Sequence, residues 1–326
     1  MNRIQHLYTL LLWLLVGLLI LTSCGTSGLP SGCPPTCAGL NLRGRDLRGM
    51  DLSGANLQRA LLQNAQLQQA DLSKDDLAGA NLSSANLIFA NLTGDKLTSA
   101  NLQRANLVGA TLTDADLAGA DLSEAVLTRV DLTHVRLAAV ILNKARLIGT
   151  RLWGVDLSGA QLMGANLSGA RLPGANLSGA NLGQTDPRQP GTNFSGADMR
   201  EIRLNGANLT GATLAGANLA QAELVGANLS ASLWGANLTG ANLEGADLSG
   251  ALLGGTQLSE ASLANTDLHD VLLNGADLRG ADLLQAHLIY SDTNNGLIVA
   301  DLSATLYDQT TKFPEGFLST SILSAE

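Results

Sequence analysis

An all-β solenoid is the fold class this sequence predicts, on three observations. One leucine returns every fifth residue from Leu42 to Leu182, then from Phe194 to Leu229, then from Leu233 to Leu288; only Phe194 and Met199 break the identity. The residues around it are small and polar: 165–169 read Ala-Asn-Leu-Ser-Gly and 246–250 read Ala-Asp-Leu-Ser-Gly. Finally, with 3% aromatic, 14% charged and 45% hydrophobic residues, the only core available is one of thin leucine and alanine layers.

A period of five suits neither helix nor flat strand. At about 100° per residue, successive leucines on a helix would stand about 140° apart and scatter round the axis, and an odd spacing on a strand would alternate faces. Gly, Ser, Asn and Asp are also poor helix formers. A chain that turns a corner every five residues in one sense keeps each leucine inward, together with the small residue two before it. The Asn/Asp, Ser/Thr and Gly positions then fall outward or at corners, and coils stack through backbone hydrogen bonds.

Over residues 40–290 these repeats resemble the pentapeptide-repeat family. The resemblance implies a right-handed quadrilateral β-helix with four pentapeptides per coil, a choice the period alone does not make over three. About twelve coils at roughly 4.8 Å each would give a rod of about 60 Å.

In chain order, residues 1–23 read as a lipoprotein signal peptide with a helical core. Arg3 supplies the positive start, and Leu7–Leu21 is an apolar run, short for a membrane span of about twenty residues. Leu21-Thr22-Ser23-Cys24 resembles a bacterial lipobox, which makes Cys24 the expected lipidation site; an uncleaved signal anchor is the alternative. Gly25 rather than Asp follows the cysteine, which by the lipoprotein sorting rule does not favour retention at an inner membrane. An extracytoplasmic, membrane-anchored protein of the cell envelope follows.

Residues 24–39 form a Gly/Ser/Pro tether holding Cys33 and Cys37. Outside the cytoplasm that pair is most simply a disulfide closing a small local ring. A metal site lacks a neighbouring histidine, and a redox pair lacks a surrounding βαβ unit.

The first solenoid segment spans 40–182. Arg45 and Met50 take inward slots there, as expected of a capping turn. Residues 183–193 interrupt it, with Asp186, Pro187, Pro190 and Gly191 marking a turn or loop; stepping by fives, two residues are in excess. In the second segment, 194–290, one residue is missing between Leu229 and Leu233, so a corner must tighten. Residues 291–326 are expected to cap the last coil, with Leu306, Tyr307, Phe313 and Phe317 resembling the family's usual ending.

If a coil holds twenty residues, those twenty apart share a column. Asn56, Asp76, Lys96, Asp116, Arg136, Asp156 and Asn176 then alternate in sign, whereas a fifteen-residue column through Asn91, Asn106, Asp121, Arg136 and Arg151 does not. A recognition stripe is one reading of the column; a solvated ladder contributing a few tenths of a kcal/mol per pair is the simpler one. Asp75 and Asp95 fall in inward slots and should be neighbours, and two buried carboxylates cannot both ionise cheaply. Either one is protonated, a water or cation bridges them, or the backbone bulges and turns them out, which the adjoining Lys74 and Lys96 favour.

A further column holds Asn208, Asn228, Asp247, Asp267 and His287, with His269 on the same face. Parallel side chains on a flat face do not converge on a metal, so an exposed polar surface is expected there. Ser232, Leu252 and Leu272, with Trp234, make an apolar strip; Trp153 stands isolated. Trp234, Leu252, Leu272, Asp247 and Asp267 are the candidate interaction residues, although cover by the C-terminal tail would also explain the strip.

Charge divides along the chain. Residues 1–185 hold 14 basic and 12 acidic side chains, residues 186–326 hold 5 and 16, and no lysine or arginine occurs from Leu204 to Asp277. An acidic rod repels nucleic acid and attracts basic surfaces. No catalytic grouping, phosphate-cradling loop, cofactor motif or metal-ligand set is recognisable. The expectation is a non-enzymatic, lipid-anchored scaffold or protein-interaction rod with an unidentified protein partner, no nucleic-acid partner, and scope for self-association. The alternative is an acidic DNA mimic acting on a DNA topoisomerase, as some family members do, which requires a cytoplasmic location.

Overall fold

The structure, a computed structural model, describes residues 37–184, 186, 188–292, 296–299 and 304–314. The residue before each central leucine makes a parallel bridge to its counterpart twenty residues on: Asn41 to Leu61, Asp46 to Gln66, Asp51 to Asp71, Asn56 to Asp76. Those four pairs begin four ladders, one for each pentapeptide of a twenty-residue coil. One unit of the scaffold shows why: Leu62 N donates to Asn81 O at 2.7 Å, and Asn81 N donates back to Ala60 O at 2.9 Å. Each pentapeptide thus hands its backbone polar groups to the coils on either side, which leaves few to solvate inside.

The corners explain the glycine position. Ala60 N donates to Leu57 O at 3.0 Å, closing a four-residue turn, and its third residue, Arg59, has φ +54°. Positive φ at that place is the type II signature and favours glycine. The Asn/Asp position also stabilises a corner: Ser53 N donates to Asp51 Oδ1 and Ser168 N to Asn166 Oδ1, each at 3.0 Å. A side-chain oxygen two residues back thereby satisfies an amide the turn leaves open.

Inside, leucines and alanines form one continuous buried stack, with Leu57, Ala60 and Leu62 fully covered. Phe194 and Met199 occupy leucine slots and are equally buried. Full burial of each such side chain contributes about 1.5–3 kcal/mol. Met50, Leu42 and Cys37 lie half-buried over the first coil, while Arg45 is exposed. At the other end Phe313 packs on the core and meets Tyr307 edge-on, with ring centroids 5.6 Å apart.

The interruption is larger than stepping by fives predicts. Asn166 pairs with Asn193, and Asn181 with Asn208, both 27 residues on. Asn193 therefore sits on the side that follows Asn181 directly, so seven residues, not two, are inserted. Counting by fives cannot tell a two-residue excess from a skipped pentapeptide plus two. The insert is tied down by Thr192 Oγ1, which donates to Leu182 O at 2.6 Å or Leu162 O at 2.7 Å. The deletion before Leu233 is as expected: Thr213 pairs with Ser232, 19 residues on.

The ladders otherwise continue, except between Thr111 and Asp131 and between Arg136 and Asp156. Val130 and the Val135–Val155 pair stand in the inward slots beside those gaps. β-Branching alone does not open a gap, since Val140, Thr150 and Ile202 fill the same kind of slot beside unbroken pairs at Ile141, Arg151 and Arg203. Beyond His287, strands β1 (Ile289–Asp292) and β2 (Gly296–Val299) form an antiparallel hairpin. The third and fourth ladders then resume at Leu306 and Lys312.

The proposed signal segment, Cys24 and Cys33 lie outside the described residues. Among the described residues no helix is long and apolar enough to cross a membrane.

Candidate interaction surface

The candidate residues meet on two adjacent sides of the distal segment. On the first side, Asn208, Asn228, Asp247, Asp267 and His287 form one ladder. Asp247 Oδ1 accepts from Ser249 N at 2.9 Å, which fixes the carboxylate over its own turn. Asp267 Oδ1 accepts from His269 N at 3.2 Å and lies 2.6 Å from His269 Nδ1. The sequence had put His269 on this face without showing that contact. The signal was its two-residue spacing from Asp267, which also brings Arg48 to Asp46 and Arg279 to Asp277.

On the next side Ser232 pairs with Leu252, and Leu252 with Leu272. Leu252, Leu272 and Trp234 are 37%, 43% and 49% exposed, large values where neighbouring apolar side chains are fully buried. Gly254 seats the indole of Trp234: a Cβ there would come within 2.8 Å of the ring, so only glycine lets it lie against the next coil. The shortened corner at Leu229–Ser232, with Ala231 nearly buried, lies between the columns at Asn228 and Ser232, while Asp247 and Leu252, and Asp267 and Leu272, stand on consecutive sides one pentapeptide apart. Aromatic and aliphatic groups flanked by charge of one sign are the usual make-up of a protein contact surface.

The sign-alternating column of the proximal segment is present, but it is loosely coupled. Asp116 and Arg136 make an ion pair at 3.1 Å with the arginine well exposed. Arg104–Glu124 and Arg151–Asp131 bridge coils at 2.9 Å and 3.4 Å elsewhere, also in solvent.

Asp75 and Asp95 are not turned out by a bulge, as their lysine neighbours led us to expect. Both are 1% exposed, and the ladder beside them is regular, with Asp76 paired to Lys96. Each reaches toward the previous coil: Ala55 N donates to Asp75 Oδ1 at 2.8 Å, and Asp75 N to Asp95 Oδ1 at 3.1 Å. Their Oδ2 atoms have no hydrogen-bond partner. Burial pushes the Asp75 carboxyl up to about 8. Burial, aided by the charge of Asp75, pushes that of Asp95 up to about 9. The pair therefore keeps its protons at neutral pH, in a core position that no substrate reaches. Lys74 and Lys96 keep their ammonium groups outside while the carboxyls stay in, because corner geometry sets direction more strongly than sequence neighbours do.

Among the described residues, no three of His, Cys, Asp and Glu gather closely enough to hold a metal ion.

No curated protein sequence matches the chain. Among solved structures it is similar to HetL of the cyanobacterium Nostoc sp. strain PCC 7120, a pentapeptide repeat protein involved in heterocyst differentiation regulation. That similarity is 32% identity over 74% of this chain and 89% of HetL, with a TM-score of 0.29. It is also similar to QnrB1, a plasmid-mediated fluoroquinolone resistance protein, at 19% identity over 67% and 92% of the two chains, with a TM-score of 0.35. A pentapeptide repeat protein of the Arabidopsis thaliana thylakoid lumen matches at 25% identity over 48% and 77%, with a TM-score of 0.11. The family profile for pentapeptide repeats matches in eight copies spread from residue 37 to residue 292, covering most of the solenoid. Taken with the five-residue period and the four backbone ladders it builds, this places the chain in the pentapeptide-repeat family.

Proposed function

We propose that this protein is a non-enzymatic, lipid-anchored extracytoplasmic rod that presents its distal segment to a protein partner. The observation that carries the reading is the apolar strip of Trp234, Leu252 and Leu272 beside the acidic column. A basic partner with an apolar anchor would fit both sides at once. The role of HetL in regulation, on the same repeat, is consistent with a protein of this kind acting by contact. Cys24 would carry the anchor and the following tether would lift the rod from the membrane; the winding is right-handed, with about twelve coils at the usual strand spacing.

The experiment has two arms. Wild type should show globomycin-sensitive acyl labelling and fractionate with membranes, and Cys24→Ala should do neither. Crosslinking from position 252 in the cell envelope should capture a basic protein, and Trp234→Ala with Leu272→Ser should lose it. Soluble, unlabelled wild-type protein would defeat the anchor. Unchanged capture by the double variant would defeat the surface.

The acidic stretch from Leu204 to Asp277 favours one further reading, a DNA mimic acting on a topoisomerase. It requires cytoplasmic protein and predicts that the purified distal charge face competes with DNA for the enzyme.

A further inference from the structure

A recess of about 310 Å³ opens on the third side of the proximal segment, lined by Thr113, Asp131, Thr133, His134, Arg151 and Trp153. It coincides with the gap in the third ladder between Thr111 and Asp131, where Val130 fills an alanine slot. Its residues come from three successive coils and are stacked twenty apart. Asp131 and Arg151 stand before inward leucines, and Thr113, Thr133 and Trp153 stand after them.

The polar groups are already oriented. Thr133 Oγ1 donates to Asp131 Oδ1 at 2.6 Å, Thr133 N donates to the same oxygen at 3.1 Å, and Arg151 Nη1 donates to Asp131 Oδ2 at 3.4 Å. The indole of Trp153 is 48% exposed. It forms part of the recess wall.

We propose that this recess binds a neutral saccharide, with a pyranose ring stacked on Trp153. The volume is at the small end of small-molecule sites, about 300–1,000 Å³, which suits a disaccharide. A pyranose ring has an apolar C–H face, which an exposed indole covers, and a rim of hydroxyls that both donate and accept. The lining supplies both roles: a carboxylate that accepts, a guanidinium that donates, and two hydroxyls and an imidazole that do either. An anion, a phosphate backbone included, would meet the Asp131 carboxylate. A wholly apolar ligand would match the indole alone in a lining of one carboxylate, one guanidinium, one imidazole and two hydroxyls. The inference does not rest on acylation of Cys24 or on the distal surface.

The test is saturation-transfer NMR and tryptophan fluorescence on the full chain in a sugar-free detergent, with cellobiose, maltose and N,N′-diacetylchitobiose as probes. One of them should bind with a Kd of about 1 mM or tighter, ordinary for a shallow site. Trp153→Ala should abolish binding, Trp153→Phe should weaken it less, Asp131→Asn should weaken it about tenfold, and Trp234→Ala should leave it intact. Because Trp153 and Asp131 are exposed, all variants should melt within a few degrees of wild type. The proposal is overturned if none of the three binds up to about 10 mM, or if Trp153→Ala binds as well as wild type.

Discussion

The proximal segment, 41–182, and the distal segment, 193–288, are built on the same ladders and differ in how far they depart from the repeat. In the proximal one, corners from Arg59 to Lys144 mostly carry side-chain-bearing residues at positive φ; from Gly149 to Gly179 every corner, and in the distal segment most, carry glycine. Two carboxyls lie in the proximal core, two of its ladders are interrupted, and its charges pair across coils. The distal core is uncharged but holds Phe194, Met199, Ile202 and Val271 beside leucine, alanine and threonine, and its outer faces lack cations over most of their length. The contrast shows which rules are strict. Inward leucine and the twenty-residue register hold in both segments, whereas glycine corners and alanine slots can be replaced at a local cost. The proximal scaffold varies by buried charge and by corner residue, and the distal scaffold varies by bulk at Phe194, Met199 and Ile202 and by one shortened corner.

The largest test of that contrast lies in the buried carboxyls. Their folded pKa values are raised to about 8 and about 9 against 3.8 for an unperturbed group. From about pH 4 upward the unfolded chain gives up these protons while the folded chain retains them, so the contribution of these two groups to stability is greatest below pH 4 and falls toward pH 9. Asp75→Asn and Asp95→Asn should melt like wild type at pH 4. They should exceed it by a margin that grows with pH, on the order of 5 °C or more at pH 8. A margin that does not depend on pH would mean that the carboxyls are not titrating in the core. Alanine at either position should hold or raise the melting temperature.

Hydrogen exchange sharpens the comparison at the interrupted ladders. The amides of Asp131 and Asp156 lack the cross-coil bond that Asp247 N makes to Ala227 O at 2.9 Å and Asp267 N to Ala246 O at 2.9 Å. They should exchange at least about tenfold faster than those two distal amides. Equal protection would show that the proximal ladder is continuous in solution.

A smaller effect concerns the corners, whose conformation the two segments share. Ala139, at φ +54°, gains from glycine; Gly216, at φ +64° with open space around its Cβ position, loses on becoming alanine. Ala139→Gly should raise and Gly216→Ala should lower stability, each by about 0.5–1 kcal/mol in denaturant unfolding. Two changes of the same sign would mean that positive φ is not what a side chain costs at a corner. Smallest of all, Arg104→Ala removes an exposed cross-coil pair with Glu124 and should leave the denaturant midpoint essentially unchanged, with any difference vanishing in high salt.

Much of this fold is legible in the sequence because a single period encodes it. Each leucine states its own direction, and columns such as Asn208 to His287 follow from the coil length once twenty is chosen over fifteen. What is not legible depends on events between coils. A twelve-residue gap between Leu182 and Phe194 is compatible with two registers, and only the pairing of Asn166 with Asn193 separates them. The fate of Asp75 turned on a competition between solvation and corner geometry, in which the neighbouring lysines gave the wrong lead. The recess around Trp153 lies at a gap in the third ladder between Thr111 and Asp131, which leaves no mark in the period. The apolar strip, by contrast, was plain from spacing alone, since Leu252 and Leu272 stand twenty apart.

The register has a mechanical consequence. Bridged residues on neighbouring coils mostly stand 19 or 20 positions apart and never more than 30, so a pull on the two ends would peel the rod one coil at a time, like cord from a spool, without breaking it as a block. Each coil would release about 65 Å of slack, its extended length of about 70 Å less one strand spacing. The seven-residue insert would lengthen one step in the series by about a third. A force trace would then carry its own marker of where along the rod the unwinding front stands, and a protein tethered at one end could yield to tension in increments without losing all its surfaces at once.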